Sequence, residues 1–263
     1  MSKELTIVIP VFQNWILTAK CIASIFKSTY SKENYEIIIV DNASTDKTES
    51  FISYLIKKEE PIKYLKMKEN LDYCKGANVG WREAKTPFIM LLNNDVILEE
   101  TCIENMMEAI KTDKKIGIVT VMEYLPNGQT RETPFTYLNI KDLRSEKYNP
   151  ILKCLKDVKQ DFFGLVDVDI AGGAACIMRK EVSDKIGYYD EIFSPCMHEH
   201  EDYCLRIKLA GYRVVMIPYA KMVHFVGATT AFNNAYYNNV CKENTQKFIK
   251  KWKNLKWDVN EKI

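Results

Sequence analysis

Apolar and polar positions along the chain switch period repeatedly. Residues 6–11 form an apolar run of strand length, and the next stretch places Ile16, Ala19, Ile22, Ala23 and Phe26 at helical spacing. The same exchange continues. Strands are predicted at 36–40, 62–67, 87–92 and 116–122, and helices at 46–58, 76–84 and 98–110. Asp46 followed by Glu49 reads as a capping box, with Asp46 as N-cap. Strands alternating with helices in this way imply an α/β fold: a mainly parallel central sheet with helices on both faces.

From 123 to 163 the period is lost, and an irregular insertion is expected, a kind of segment that is usually functional or mobile. Order returns at 166–178, read as strands around Gly172 and Gly173. A helix follows at 201–210, ended by Gly211, then a strand at 213–218 and a helical tail at 236–257. No internal repeat or low-complexity linker divides the chain.

Composition narrows the classes. The 263 residues are 47% hydrophobic and 27% charged, a globular mix large enough to bury a core without disulfides. A net charge of +2 provides no broad basic field for nucleic acid. No apolar run approaches the ~18–20 residues that span a bilayer. Met1 to Leu5 lacks the basic n-region and cleavage site of a signal peptide. The eight cysteines are scattered without a Cys-x-x-Cys pair, as reduced thiols in a cytoplasmic protein would be.

Charge is nevertheless uneven. Between Val240 and Ile263, seven lysines stand against three acids, a net of +4, which leaves −2 on the rest. Phe248, Trp252 and Leu255 share one helical face in this tail. The stripe either lies on an anionic membrane surface or docks on the body of the protein.

If the early strands are parallel, their carboxyl ends bring three polar clusters to one sheet edge: Pro10-Val11-Phe12-Gln13-Asn14, Asp41 to Asp46, and Asn93-Asn94-Asp95. That edge suits a polar ligand, and the helix N-termini there favour an anion. Asp95 could hold Mg²⁺ or Mn²⁺ through oxygen, or the Asn-Asn-Asp stretch could simply be a turn. Glu201-Asp202, after His198-Glu199-His200, either complements a helix dipole or contains a general base. His224, just past a strand, is a structural histidine or a metal ligand, and imidazole would favour Mn²⁺.

In their order, these stretches resemble the family 2 inverting glycosyltransferases of GT-A fold, and most closely the rhamnosyltransferase- and galactofuranosyltransferase-like branch. The matching residues are Val8 to Asn14, Val40 to Asp46, Asn70 to Gly80, Leu91 to Val96, Asp169 to Arg179, Glu201 to Arg206 and His224 to Gly227. The resemblance implies a nucleotide-sugar-binding half over 1–122 and an acceptor and catalytic half over 123–235. A basic amphipathic helix, 236–263, would follow.

The resemblance also implies roles. Asp41 would read the nucleotide base, and Pro10, Val11, Phe12 and Asn14 would line the nucleotide pocket. Asn70, Lys75, Asn78, Asn93 and Asn94 would lie near the donor. Asp95 would be the main metal-binding carboxylate, in a motif whose first Asp is Asn93 here, and His224 a further ligand for Mn²⁺ or Mg²⁺. Asp202 would be the catalytic base, with Glu201 beside it, and Gly172, Gly173 and His200 would meet the acceptor.

The implied reaction moves one sugar, with inversion, from a nucleotide-diphosphate sugar to a hydroxyl of a glycan, lipid-linked or protein acceptor. UDP is favoured over dTDP by its frequency in the family. Processive relatives carry a Gln-x-x-Arg-Trp motif, whose spacing Gln246 to Trp252 lacks, so one sugar per encounter is expected. A cytoplasmic enzyme is expected, its C-terminal helix being the point of any peripheral contact with the inner face of the membrane. A non-catalytic sugar-nucleotide-binding scaffold on the same fold is the alternative.

Overall fold

The computed structural model describes residues 2–129, 135–227 and 235–254. Its first half follows the alternation of the sequence. β1 (Leu5–Val11), β2 (Tyr35–Asp41), β3 (Ile62–Lys66) and β4 (Phe88–Leu92) pair in parallel in the order β3-β2-β1-β4. Every residue of β1 and β4 is buried, as expected for apolar runs covered on both faces. α1 (Trp15–Phe26), α2 (Thr48–Lys57) and α3 (Asp72–Glu83) are the crossovers. α3 lies close on the sheet because Gly80 has no side chain: a Cβ there would stand 2.4 Å from Val8 Cγ1.

The second half is a mixed sheet. After β5 (Val96–Leu98) and α4 (Cys102–Thr112), β6 (Ile116–Tyr124) does not lie beside β4. β10 (Ala175–Arg179) enters between them, antiparallel to both. β11 (Arg213–His224) is parallel to β6 and antiparallel to β5 and to the short β9 (Val166–Asp167). The parallel expectation therefore holds for β1 to β4 and for the β6–β11 pair. The helix expected at 98–110 opens only at Cys102, and Leu98 instead closes β5.

The stretch 123–163 is less irregular than its sequence suggests. It completes β6 and contains the hairpin-like pair β7 (Phe135–Tyr137) and β8 (Ile151–Lys153), with α5 (Ile140–Arg144) between them. Asp46 is not the N-cap of α2, a position taken by Lys47. Its carboxylate instead ties two helix starts together, accepting from Thr48 N at 3.0 Å and from Trp15 N at 2.9 Å.

α6 (Lys180–Ile186) and α7 (Glu199–Leu209) precede β11, and α8 (Ala235–Trp252) closes the described chain. On α8, Phe248, Ile249 and Trp252 are buried among Leu138, Leu143, Ile170, Phe193 and Leu205. The described part of the tail's apolar stripe, Phe248 and Trp252, thus packs on the body of the protein. Leu255 and Trp257 lie outside the described residues. Among the described residues no helix is long and apolar enough to cross a membrane.

Candidate active site

The carboxyl ends of β1, β2 and β4 open into a cavity of about 740 Å³, closed on the far side by the head of α7 and the end of β11. Its lining includes Pro10, Val11, Phe12, Asn42, Asn70, Asn93, Asn94, Asp95, Gly172, Gly173, Glu199, His200, Glu201 and His224. Residues far apart in sequence thus meet where strand ends gather, as open α/β sheets direct. A depression of similar size beside α1 and β5, lined by Lys20, Lys27 and Glu99, collects none of this chemistry.

At one side of the cavity Asp95 and His224 face each other, with His224 Nε2 3.3 Å from Asp95 Oδ1. Strand pairing builds this approach. His224 stands opposite Val96 in the β11–β5 ladder, and Phe225 N donates to Asp95 O at 2.9 Å. Asp95 Oδ1 is buried and makes no hydrogen bond. Glu123 Oε1 lies 3.0 Å from the other ring nitrogen, Nδ1. Burial pulls the His224 pKa down, but the carboxylates of Asp95 and Glu123 on either side of the ring prevail and raise it to about 9. A buried carboxylate oxygen without a hydrogen bond, beside an imidazole, offers a divalent cation one O and one N donor. Among the described residues no three metal-ligating side chains converge on one point, so such an ion would draw its remaining ligands from outside this pair.

Across the cavity, Met197 and His198 take left-handed backbone conformations (φ 76° and 70°) and turn the chain into α7. His198 stacks on Phe248 of α8, with ring centroids 5.1 Å apart, and its Nε2 meets Thr245 Oγ1 at 2.9 Å. Glu199 lines the cavity almost fully buried, and its Oε2 makes no hydrogen bond. Burial, and then the neighbouring Glu201, push its pKa up to about 8. Burial also raises Glu201, but His198, with Nδ1 3.4 Å from the carboxylate, brings it below the ordinary carboxylate value. His200 is held neutral by burial, which drops its pKa to about 4, and Tyr189 Oη sits 2.8 Å from its Nδ1. Gly173 makes room for this ring, since a Cβ would lie 3.1 Å from His200 Cγ.

Several expected residues stand elsewhere. Asp202, expected as the base, is absent from the cavity wall. Its buried carboxylate accepts from Arg206 Nε at 2.8 Å and from Trp252 Nε1 at 3.0 Å, and Lys251 Nζ lies 2.6 Å away. Asn78 is also structural: its side chain bridges to the Tyr189 backbone N–H and carbonyl, each at 3.0 Å, and to Glu191. Lys75 is exposed and outside the lining. Asn14 caps α1 in a left-handed conformation, its carbonyl accepting from Leu17 N and Thr18 N. Asp41 ends β2 with both oxygens engaged, by Ser44 N at 2.8 Å and by the Tyr64 hydroxyl, so Asn42 is the side chain there that borders the cavity.

Glu123 and Glu199 were missed by the sequence reading. Glu123 carried a signal, and so did Asp202. Glu123 continues the apolar face of Val119 and Val121, where a carboxylate is out of place. The i,i+4 pair Asp202–Arg206 marked Asp202 as an ion-pair partner.

Comparisons with known proteins bear on the fold and the family. The chain is 26% identical over 188 residues to poly-beta-1,6-N-acetyl-D-glucosamine synthase of Staphylococcus aureus (strain COL), covering 72% of this chain and 42% of that protein. It is 26% identical over 147 residues to glycosyltransferase GlyG of Streptococcus pneumoniae serotype 4, covering 56% of this chain and 48% of the relative. The chain therefore spans less than half the length of these curated relatives. In fold it is similar to the mannosyltransferase PcManGT from Pyrobaculum calidifontis, solved with GDP-Man and Mn²⁺ (TM-score 0.63, 16% identity, 88% of this chain and 59% of that one). It is also similar to GalNAc-T7, solved with UDP, GalNAc and Mn²⁺ (TM-score 0.72, 16% identity, 84% and 43%). These likenesses show the GT-A fold. The model of the family named Glycosyl transferase family 2 matches residues 6–187, more than half of the sequence, and the chain belongs to that family.

Proposed function

We propose that this chain is a metal-dependent, inverting glycosyltransferase that moves one sugar from a nucleotide-diphosphate sugar to a hydroxyl acceptor. The observation that carries the reading is the opposition of Asp95 and His224 to the acidic head of α7 across one cavity at the strand ends. A divalent cation held by Asp95 and His224 would neutralise charge on the departing diphosphate.

The residues of the chain supply the rest. Pro10 to Phe12 and Asn42 border the space where a nucleotide would lie, beside the Asn93-Asn94-Asp95 turn. Glu199 accepts the acceptor's proton through its free Oε2, and the acceptor oxygen attacks the anomeric carbon on the face opposite the leaving group. That single displacement inverts the configuration. Glu199 suits the role better than Glu201, because its oxygen is unengaged and its pKa near 8 makes it the stronger base. His200 and Glu201, on the same wall, orient the acceptor. Gly173 allows His200 its place.

A UDP-sugar is favoured as donor over a dTDP-sugar, since the structural neighbour GalNAc-T7 was solved with UDP, although PcManGT was solved with GDP-Man. A glycan or surface-polysaccharide acceptor agrees with the names of the sequence relatives. The rhamnosyl- or galactofuranosyl-like branch and a single transfer per encounter rest on the sequence motifs alone.

The test is a panel of UDP-, dTDP- and GDP-sugars, read by thermal stabilisation and by release of the nucleoside diphosphate, with Mn²⁺ and with EDTA. Mn²⁺-dependent release from one donor is expected. Stabilisation without release, even with acceptor extracts added, would favour the scaffold reading. No stabilisation by any donor would overturn the proposal.

A further inference from the structure

The face of β6 that carries Val119 and Val121 is apolar, and both residues are buried in the main core. Glu123 is next on that face, and it too is buried. A carboxylate in such a place is costly unless it has a partner of definite geometry. Glu123 Oε1 lies 3.0 Å from His224 Nδ1, on the neighbouring strand β11. The parallel β6–β11 ladder sets Met222 opposite Glu123, so that His224, two residues on, emerges on the same face.

His224 therefore lies between two carboxylates, one at each ring nitrogen: Glu123 at Nδ1 and Asp95 at Nε2. The two nitrogens point away from each other, so Glu123 and Asp95 cannot meet one ion at the same nitrogen. A neutral imidazole can ligate at only one nitrogen while the other carries hydrogen, and the group that accepts that hydrogen sets the tautomer and the ring plane.

We infer that Glu123 is a positioning residue for the metal centre. It accepts the Nδ1–H of His224 and thereby presents Nε2, in a fixed ring orientation, toward the cation site beside Asp95. The inference rests on the metal-dependent reading above and adds a residue to it that acts through His224. The backbone tie between Phe225 N and Asp95 O holds the ligands together from one side. Glu123 holds the ring from the other.

The experiment measures Mn²⁺ alone binding to the full chain, by electron paramagnetic resonance of the free ion, for wild type, E123Q, E123L and H224A. E123L is expected to bind Mn²⁺ about 10–100-fold more weakly than wild type, the usual cost of removing such a partner. E123Q keeps an oxygen that accepts the Nδ1–H and is expected to stay within about threefold of wild type. Its melting temperature checks that the pair of strands is intact. E123L binding as tightly as wild type would overturn the inference, because His224 would then need no orienting partner. E123Q binding as weakly as E123L would also overturn it, because the charge of Glu123, and not its acceptor geometry, would be what matters. Wild-type protein that binds no Mn²⁺, with H224A indistinguishable from it, fails the metal reading itself, and the inference falls with it.

Discussion

Lys251 Nζ lies 2.6 Å from Asp202 Oδ1, which ties the last described helix to the helix whose head forms one wall of the cavity. Trp252 Nε1 donates to the same oxygen and Arg206 Nε to the other, so the carboxylate is fully engaged and fully buried. Asp202→Asn should therefore act first on stability. Removing one partner of a buried pair costs about 3–5 kcal/mol. A loss of that size lowers the melting temperature by roughly 10 °C in a chain of this length. At low temperature the folded variant should keep most of its turnover. Full stability combined with abolished transfer would restore Asp202 to the role of base.

Glu199 makes the opposite prediction. Glu199→Gln should leave donor binding intact and lower transfer by about 10²–10⁴-fold, the usual contribution of a general base. In the wild type kcat/KM should rise with pH through about 8, as the carboxyl ionises. Tyr73, Cys74, Tyr189 and Cys196 surround it with groups that stay neutral there. Comparable transfer by Glu199→Gln, with Glu201→Gln inactive, would move the role to Glu201.

The same group bears on stability. Its folded pKa is raised from the ordinary 4.5 to about 8, so the native state holds a proton that the unfolded chain releases. The stability this contributes is complete below about pH 4.5 and is lost as pH rises through 8. Glu199→Gln has no charge to bury and should be more stable than wild type above pH 8. Denaturant titrations at pH 6 and 9 decide it: an unchanged difference between the two proteins would refute the raised pKa.

His224 links metal binding to pH. With its pKa raised to about 9, it is a cation at neutral pH when no metal is bound, and a ligand must first lose that proton. Mn²⁺ affinity should strengthen as pH rises from 6.5 toward 9, by as much as tenfold per unit. His224→Ala should bind weakly with little pH dependence over that range. Calorimetry at several pH values, with the proton release it reports, checks both. A flat wild-type profile would remove His224 from the ligand set.

Gly80 is a packing test away from the chemistry. A methyl group there would stand 2.4 Å from Val8 Cγ1 and 2.8 Å from Val40 Cγ2, both in the middle of the sheet. Gly80→Ala should cost about 1–3 kcal/mol by forcing α3 off β1 and β2. Chemical denaturation measures it, and a neutral result would mean that α3 moves freely.

The sequence by itself determined the first four strands, their crossover helices and the polar edge where Pro10 to Phe12, Asn42 and Asn93 to Asp95 gather. That information is local: a buried strand needs a short apolar run, and a surface helix needs an apolar face at its own period. It also placed Asp95, Glu201 and His224 among the candidate groups, and all three line the cavity. Tertiary structure decided what each polar side chain meets. The insertion of β10 between β4 and β6 depends on a pairing between strands distant in sequence. Glu123 reaches His224 across 101 residues, and Asp202 reaches Trp252 across 50. Glu201 and Asp202 are adjacent and alike in charge, yet α7 turns about 100° between them. One therefore faces the cavity, while the other meets Lys251. No periodicity carries that distinction, because it is set by the helix that packs behind, and burial makes a carboxylate take whichever cation and donors that packing supplies.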